Sequence, residues 1–176
     1  MKRQGRCPPP PGESKHLGRE VAGTVAGLCP AVRAFKAGER VLSLVGGGGY
    51  AELANAYAGH VMRMPEKLGF TEAACVPEAY ITAYMNVFMR ARLAQGESVL
   101  IHGGGGGVGT AAIQLCKALN PTGRVFATAS AKKLAALARL GVDAAIDYKN
   151  QDFPTVVLEA TGGRGVDVIL DHVGGP

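Results

Sequence analysis

The sequence contains few cysteines and no paired cysteine motif. Its four cysteines, Cys7, Cys29, Cys75 and Cys116, are far apart in the sequence, and none lies in a CxxC pair. A disulfide framework or a structural zinc site needs closer or paired spacing, so the sequence argues against both. Isolated thiols are typical of a reducing compartment, and we expect a cytoplasmic protein.

Long hydrophobic runs and blocks of basic residues are also missing. The first residues, MKRQGRCPPPPG, lack the apolar core of a signal peptide, and no uninterrupted stretch reaches transmembrane length. The net charge is +5, but the lysines and arginines are scattered, whereas nucleic-acid binding predicts a denser stripe. The 26 glycines follow no Gly-x-y period, which excludes collagen. We therefore expect a globular protein with neither a membrane nor a nucleic-acid partner.

The first part of the chain has the pattern of a small β domain. Residues 1–19 are polar and proline-rich, which is typical of extended backbone. Short β-type segments then follow between glycine and proline turns, at 20–28, 41–45, 50–56 and 60–64. This spacing predicts a small β sheet or barrel. A helix is predicted from Thr71, and apolar residues at three- and four-residue spacing continue the helical pattern after Pro77.

From residue 98 onward, strands and helices alternate strictly. The predicted strands are 98–102, 124–128, 144–147 and 166–171, and the predicted helices are 108–119, 131–140 and 152–160. This order predicts an α/β fold with a parallel sheet and right-handed crossovers. A complete doubly wound dinucleotide-binding sheet has about six strands. The sequence predicts four strands, so we expect a truncated domain.

A glycine-rich loop joins the first of these strands to the following helix. In SVLIHGGGGGVGTAAIQL, the residues Gly104, Gly106 and Gly109 fit the pattern G-x-G-x-x-G. The first glycine permits a tight turn, the second lets the backbone approach a pyrophosphate, and the third allows close packing of helix on strand. The pattern alone is weak because five consecutive glycines satisfy many patterns, and a ligand-free glycine turn is the alternative. The strand before it and the helix after it favour dinucleotide binding.

The stretch after the loop contains no acidic residue. NAD-binding domains place an Asp or Glu at the end of the second strand to hold the ribose hydroxyls. Here there is no Asp or Glu between Gly109 and Asp143, and Ser130, Lys132 and Lys133 occupy that position. Hydroxyl and ammonium donors suit a 2′-phosphate, so the sequence predicts NADPH rather than NADH. The alternative is that both lysines simply cover the start of a surface helix.

Three segments resemble the zinc-free quinone oxidoreductase branch of the medium-chain dehydrogenase/reductase superfamily: GESVLIHGGGGGVGTAAIQLCKAL, LGVDAAIDYKNQDF and GVDVILDHVGG. Within that branch, RQGRCPPPPGES and VPEAYITAY are most similar to the p53-inducible group. The resemblance implies a partial GroES-like β domain at 1–76 and a partial NADP-binding Rossmann domain at 77–176. It also implies hydride transfer from NADPH to a quinone or related conjugated carbonyl, in a cytoplasmic enzyme whose full-length relatives are homodimers.

The resemblance assigns further residues to the cofactor site. It implies a pyrophosphate loop, a pair of residues near the 2′-phosphate, a tyrosine near the adenosine and a threonine near the nicotinamide. The pyrophosphate loop is Gly104, Gly106, Gly107, Val108 and Gly109. Ser130 and Lys133 are the pair near the 2′-phosphate, Tyr148 is the tyrosine near the adenosine, and Thr82 is the threonine near the nicotinamide. Tyr148 could instead be a packing residue, and Thr82 an ordinary helix hydroxyl. No catalytic side chain is implied, because the protein holds nicotinamide and acceptor together without a nucleophile.

Two positions differ from the patterns of related enzymes. Zinc-using relatives carry Gly-His-Glu where this chain has Gly18-Arg19-Glu20, so we expect no catalytic zinc. The resemblance also places a tyrosine of the substrate cleft where this chain has Cys7. A thiol cannot stack on a quinone as a phenol ring does, and it donates a weaker hydrogen bond than a phenol. How the chain would bind the acceptor is therefore open. The alternatives to a quinone oxidoreductase are an enoyl-thioester reductase and a non-catalytic, truncated NADPH-binding protein.

Overall fold

The computed structural model describes residues 11–174. Internal contacts separate the chain into two compact units, Met1–Glu78 and Ala79–Pro176. The resemblance implies a domain boundary after residue 76, and that boundary stays a prediction. Within the described residues, no helix is both long enough and apolar enough to cross a membrane.

The first unit contains a three-stranded antiparallel sheet. Strands β1 (Glu20–Thr24), β2 (Arg40–Leu44) and β3 (Val61–Arg63) pair in the order β1-β2-β3. Helix α1 (Phe70–Ala73) follows, and its buried Ala73 packs with Leu42 of β2 and with Met64. These elements confirm the small β domain that the turn spacing predicts.

One predicted strand does not form. Residues 50–56 are bends and irregular backbone, and Leu53 is 77% exposed. The loop before them is held to the preceding segment, because Tyr50 N–H donates to Leu17 C=O and Gly49 N–H to Gly18 C=O. An isolated extended segment has no ladder to complete its hydrogen bonds, so alternating apolar residues alone do not make a strand. The prediction of a strand at 50–56 was wrong.

The second unit follows the alternating pattern. Its elements, in chain order, are α2 (Pro77–Tyr84), β4 (Val99–Ile101), α3 (Gly107–Leu119), β5 (Val125–Ala129), α4 (Leu134–Arg139), β6 (Ala144–Asp147), α5 (Phe153–Ala160) and β7 (Val168–Leu170). The four strands are parallel and lie in the order β6-β5-β4-β7. This is the arrangement of the first four strands of a doubly wound dinucleotide-binding sheet.

Alternate residues of the central strands face opposite sides of the sheet. Val99 and Ile101 of β4 lie in a core cluster with α3 residues such as Ile113, whereas Leu100 lies in a second cluster with Val157 of α5. Both faces are therefore covered by helices, which explains why these strands are apolar at every position. The parallel, doubly wound fold class is confirmed.

The helix after Pro77 widens before it ends. Helix α2 continues into a π-helical turn at Met85–Arg90, where Ala91 N–H donates to Asn86 C=O at 3.0 Å. Ala83 and Val87 remain fully buried in the core through this change. Apolar spacing predicted a helix here, but spacings of three and four do not distinguish an α-helix from one wider turn.

Candidate functional site

The glycines between β4 and α3 have different structural roles. Gly103 has φ +64°, a left-handed conformation that favours glycine. A Cβ on Gly104 would lie 2.8 Å from Ala127 Cβ of the neighbouring strand. A Cβ on Gly109 would overlap Gly103 O and would lie 2.6 Å from Gly104 Cα. A left-handed turn and two close approaches thus require glycine, and they bring the start of α3 against the end of β4.

Thr128 of β5 anchors the loop, and sequence reasoning missed it. Its C=O accepts from Gly104 N–H at 2.8 Å, and its Oγ1 accepts from Gly103 N–H at 3.3 Å. Oγ1 also lies 3.1 Å from Nδ1 of His102. A lone hydroxyl in the buried strand VFATA was the signal, because buried polar groups are nearly always hydrogen-bonded.

The first turn of α3 presents free backbone donors. Its N-cap is Gly106, which offers no side-chain cap, and the first turn contains no acidic residue. Thr110 N–H is the first to donate back, to Gly106 C=O at 2.9 Å. The N–H groups of Gly107, Val108 and Gly109 therefore have no intrahelical acceptor. Together with the helix dipole, these donors have the chemistry that suits a phosphate group.

Lys133 lies across this loop. Its Nζ donates to Gly105 C=O at 2.8 Å, and its side chain covers the position that a Cβ on Gly105 would occupy. Its backbone N–H donates to Ser130 C=O at 2.8 Å, which ties it to the end of β5. The structure thus brings Lys133, Ser130 and the glycine loop together, and their role at a ribose phosphate stays a prediction.

Tyr148 lies at the same edge of the sheet. Ala129 of β5 is in register with Asp147 of β6, so Ser130 and Tyr148 follow directly at two adjacent strand ends. Tyr148 is 55% exposed, which leaves its ring face available to a ligand such as an adenine. This exposure argues against a simple packing role for the tyrosine.

Thr82 is less directly connected to the loop. It lies half-buried on α2, next to the fully buried Ala83, and its C=O accepts from the side chain of Asn86 at 2.8 Å. The hydrogen bonds that organise the glycine loop do not include it. Cys7, the other position that the resemblance singles out, lies outside the described residues.

The point where the strand order reverses lies between β4 and β7. His102 follows β4 and Asp171 follows β7, so both flank the crevice where doubly wound sheets bind their ligands. The N–H groups of Gly174 and Val173, and then the nearby imidazoles of His102 and His172, hold the pKa of the Asp171 carboxyl below its usual value. A negative charge is therefore fixed beside the loop at neutral pH.

Two family models match this chain. The alcohol dehydrogenase GroES-like domain matches residues 1–66, and the zinc-binding dehydrogenase model matches residues 107–176. The synaptic vesicle membrane protein VAT-1 homolog of Danio rerio is 40% identical over 178 residues, covering 99% of this chain and 36% of that protein. The chain belongs to the medium-chain dehydrogenase/reductase superfamily. Within that superfamily, the chain is quinone oxidoreductase-like.

Solved structures agree with this assignment. The quinone oxidoreductase of Pseudomonas syringae pv. Tomato DC3000 superposes with a TM-score of 0.85 at 31% identity, covering 98% of this chain and 53% of that one. The CurK enoyl reductase gives 0.84 at 32% identity, with 90% and 48% covered. The mycobacterial protein Rv1454c complexed with NADPH gives 0.80 at 33%, with 90% and 50% covered. The chain thus spans about half the length of these structures, and less than half of the VAT-1 homolog.

The zinc named in one family description has no fitting ligand set in residues 11–174. No three His, Cys, Asp or Glu side chains converge there to hold a metal ion. Where zinc-using relatives carry the histidine of Gly-His-Glu, Arg19 directs its Nε to the Glu78 carboxylate at 3.4 Å, and Glu20 accepts from Glu78 N–H at 2.9 Å. A guanidinium in an ion pair cannot ligate a cation. The described residues therefore do not fit a zinc site of that kind.

Proposed function

We propose that this chain provides the cofactor site of an NADPH-dependent oxidoreductase that reduces quinones or related conjugated carbonyls by direct hydride transfer without zinc. The observation that carries the proposal is the free N-terminus of α3, whose three unpaired N–H groups follow a glycine loop held by Thr128. A dinucleotide pyrophosphate fits these donors in number and in charge. When bound, NADPH would supply the hydride.

The preference for NADPH over NADH rests on charge at the edge of the ribose site. The chain carries no Asp or Glu from Thr110 to Val142, and the end of β5 is followed by Ser130 and two lysines. Lys133 already reaches the glycine loop, so its ammonium lies between the two elements that flank the ribose in this fold. A carboxylate at this place would repel a 2′-phosphate, whereas an ammonium donates charge-assisted hydrogen bonds to it.

The residues of this chain then act by binding and orientation rather than by covalent chemistry. The loop and the start of α3 would hold the pyrophosphate, Lys133 and Ser130 the 2′-phosphate, and Tyr148 the adenine. Fixing one half of the cofactor in this way aligns the other half for transfer, which lowers the entropic part of the barrier. Arg19, engaged with Glu78, supports a reaction that needs no zinc.

An enoyl-thioester reductase is the second candidate. The observation that favours it is the similarity to the CurK enoyl reductase, which is as strong as the similarity to the quinone oxidoreductase. Both reactions transfer a hydride from the nicotinamide to a conjugated carbonyl compound, so one cofactor site serves either of them. The acceptor therefore distinguishes the two candidates.

Turnover assays test the proposal. We expect NADPH oxidation, followed by loss of its absorbance, with an ortho-quinone and much less with a crotonyl thioester. Activity should survive treatment with a zinc chelator, and NADH should be the poorer donor. Faster turnover of the thioester would favour the enoyl reductase, whereas chelator-sensitive turnover would contradict the zinc-free reaction. NADPH binding with no turnover of either acceptor would leave a binding protein rather than an enzyme.

A further inference from the structure

We propose that Gly105 is a specificity-determining residue for NADPH, because it leaves the space in which Lys133 lies across the glycine loop. This inference rests on the proposed NADPH function and adds to it a residue at the middle of the loop. Gly105 is the x position between Gly104 and Gly106, where G-x-G-x-x-G specifies no residue.

The contact between the two residues is close along much of the lysine side chain. A Cβ on Gly105 would overlap Cδ of Lys133 and would lie 3.1 Å from its Cβ and 3.3 Å from its Cγ. The ammonium donates to Gly105 C=O at 2.8 Å. The aliphatic part of the lysine therefore rests on the bare Cα of Gly105, and the residue's carbonyl fixes the position of the charge.

This position matters because of where Lys133 starts and ends. Its backbone belongs to the short 3-10 turn Ala131–Lys133 that follows Ser130, at the end of β5. Its ammonium ends at the glycine loop, which follows β4. In a doubly wound domain the adenosine ribose lies between these two elements. The side chain thus carries a positive charge to the edge of the ribose site, and the segment from Thr110 to Val142 contributes no carboxylate there that would repel a 2′-phosphate.

The glycines of the loop are not equivalent in this respect. Gly104 and Gly109 are restricted by a core side chain and by backbone, so a methyl group there disturbs the packing of the fold. The three atoms nearest to a Cβ on Gly105 all belong to the Lys133 side chain, and the φ of Gly105 is not left-handed, so its backbone conformation suits alanine. A Cβ on Gly107 meets nothing within 4 Å. Gly105→Ala should therefore displace the ammonium and leave the fold intact.

Calorimetric titration of NADPH and NADH tests the proposal on the whole chain, three variants and two control variants. Lys133→Ala should lose about tenfold or more of the NADPH affinity, with the NADH affinity unchanged, because a charge-assisted contact is lost. Gly105→Ala should lose about threefold or more of the NADPH affinity, again with NADH unchanged. In the double variant, Gly105→Ala should add nothing to Lys133→Ala, since it acts through that side chain.

Two controls separate this effect from general ones. Gly107→Ala adds a methyl group beside the pyrophosphate site, which NADPH and NADH share, so it should affect both affinities alike and preserve their ratio. Arg139→Ala removes an exposed charge in the last turn of α4, away from Gly105, and it should preserve the ratio too. Thermal unfolding of each variant checks that the fold is retained.

Three results would overturn the inference. An unchanged affinity ratio in Gly105→Ala would show that the lysine does not need this space. An equal loss of NADPH affinity with and without Lys133 would show that the methyl group acts on the cofactor directly. If the unaltered chain bound NADH as tightly as NADPH, the proposed function would fail first, and the inference with it.

Discussion

Replacing Gly109 by alanine should destabilise the second unit measurably. The added Cβ would overlap Gly103 O and would approach Gly104 Cα to 2.6 Å, about 1 Å closer than two carbon atoms normally lie. Both neighbours are backbone, so α3 must move away from the loop. Overpacking of this kind costs about 1–3 kcal/mol, against a gain of at most about 1 kcal/mol from alanine's higher helix propensity. We expect a net loss of about 1–2 kcal/mol in the free energy of unfolding.

Thermal unfolding measures this effect, with Gly107→Ala as the matched control. A loss of this size lowers Tm by about 2–8 °C in a chain of this length. Gly107 begins the same helix but has open space around it, so alanine there should leave Tm unchanged or raise it slightly. If Gly109→Ala were as stable as Gly107→Ala, the close approach of loop and helix would not be the constraint described here.

Three further predictions concern residues outside the loop. The side chain of Asn120 is buried; it accepts from Gly96 N–H at 2.8 Å and donates to Glu97 C=O at 2.9 Å. Chemical denaturation should therefore show that Asn120→Ala lowers the free energy of unfolding by about 1–3 kcal/mol. A change below about 0.5 kcal/mol, the size typical of a surface substitution, would contradict this. Burial by itself raises the pKa of the Asp143 carboxyl, but Lys117, the N–H of Val125 and the charge of Arg124 hold that pKa below its ordinary value of 3.8. The ionised Asp143 carboxylate therefore stabilises the fold at neutral pH, and this contribution is lost as the pH falls through the folded-state pKa. The Asp143→Asn variant should unfold more easily than the unaltered chain at pH 7, and it should lose less further stability than the unaltered chain when the pH is lowered. Burial raises the pKa of the Cys116 thiol to about 11, so mass-spectrometric mapping after alkylation at pH 8 should find the exposed Cys29 and Cys75 modified and Cys116 protected until the chain is denatured.

The sheet of the second unit could be predicted because its signals are local and repeated. Each strand is a short apolar run bounded by glycine or polar residues, and each helix shows a clear apolar face, so element order followed directly. The strand order β6-β5-β4-β7 was not predicted, because right-handed crossovers restrict the connections but do not determine which strands are neighbours. The failed strand at 50–56 shows the limit, since a strand also needs a partner that the local sequence does not specify.

The contacts of the site were harder to predict than its residues. The sequence indicated Ser130 and Lys133 by the absence of acidic residues, but nothing in it placed Lys133 on Gly105. Sequence reasoning also missed Thr128, which accepts hydrogen bonds from two N–H groups of the glycine loop that follows the neighbouring strand β4. Side-chain contacts between elements depend on register and rotamer, and a single sequence determines these only through the complete fold.

Residue-resolved hydrogen exchange with and without NADPH tests the central claim most directly. The N–H groups of Gly107, Val108 and Gly109 have no intrahelical acceptor, so they should exchange rapidly in the free protein. Saturating NADPH should slow their exchange markedly, while NADH at the same concentration should slow it less. NADPH binding that left these three amides as exposed as before would contradict the proposed cofactor site.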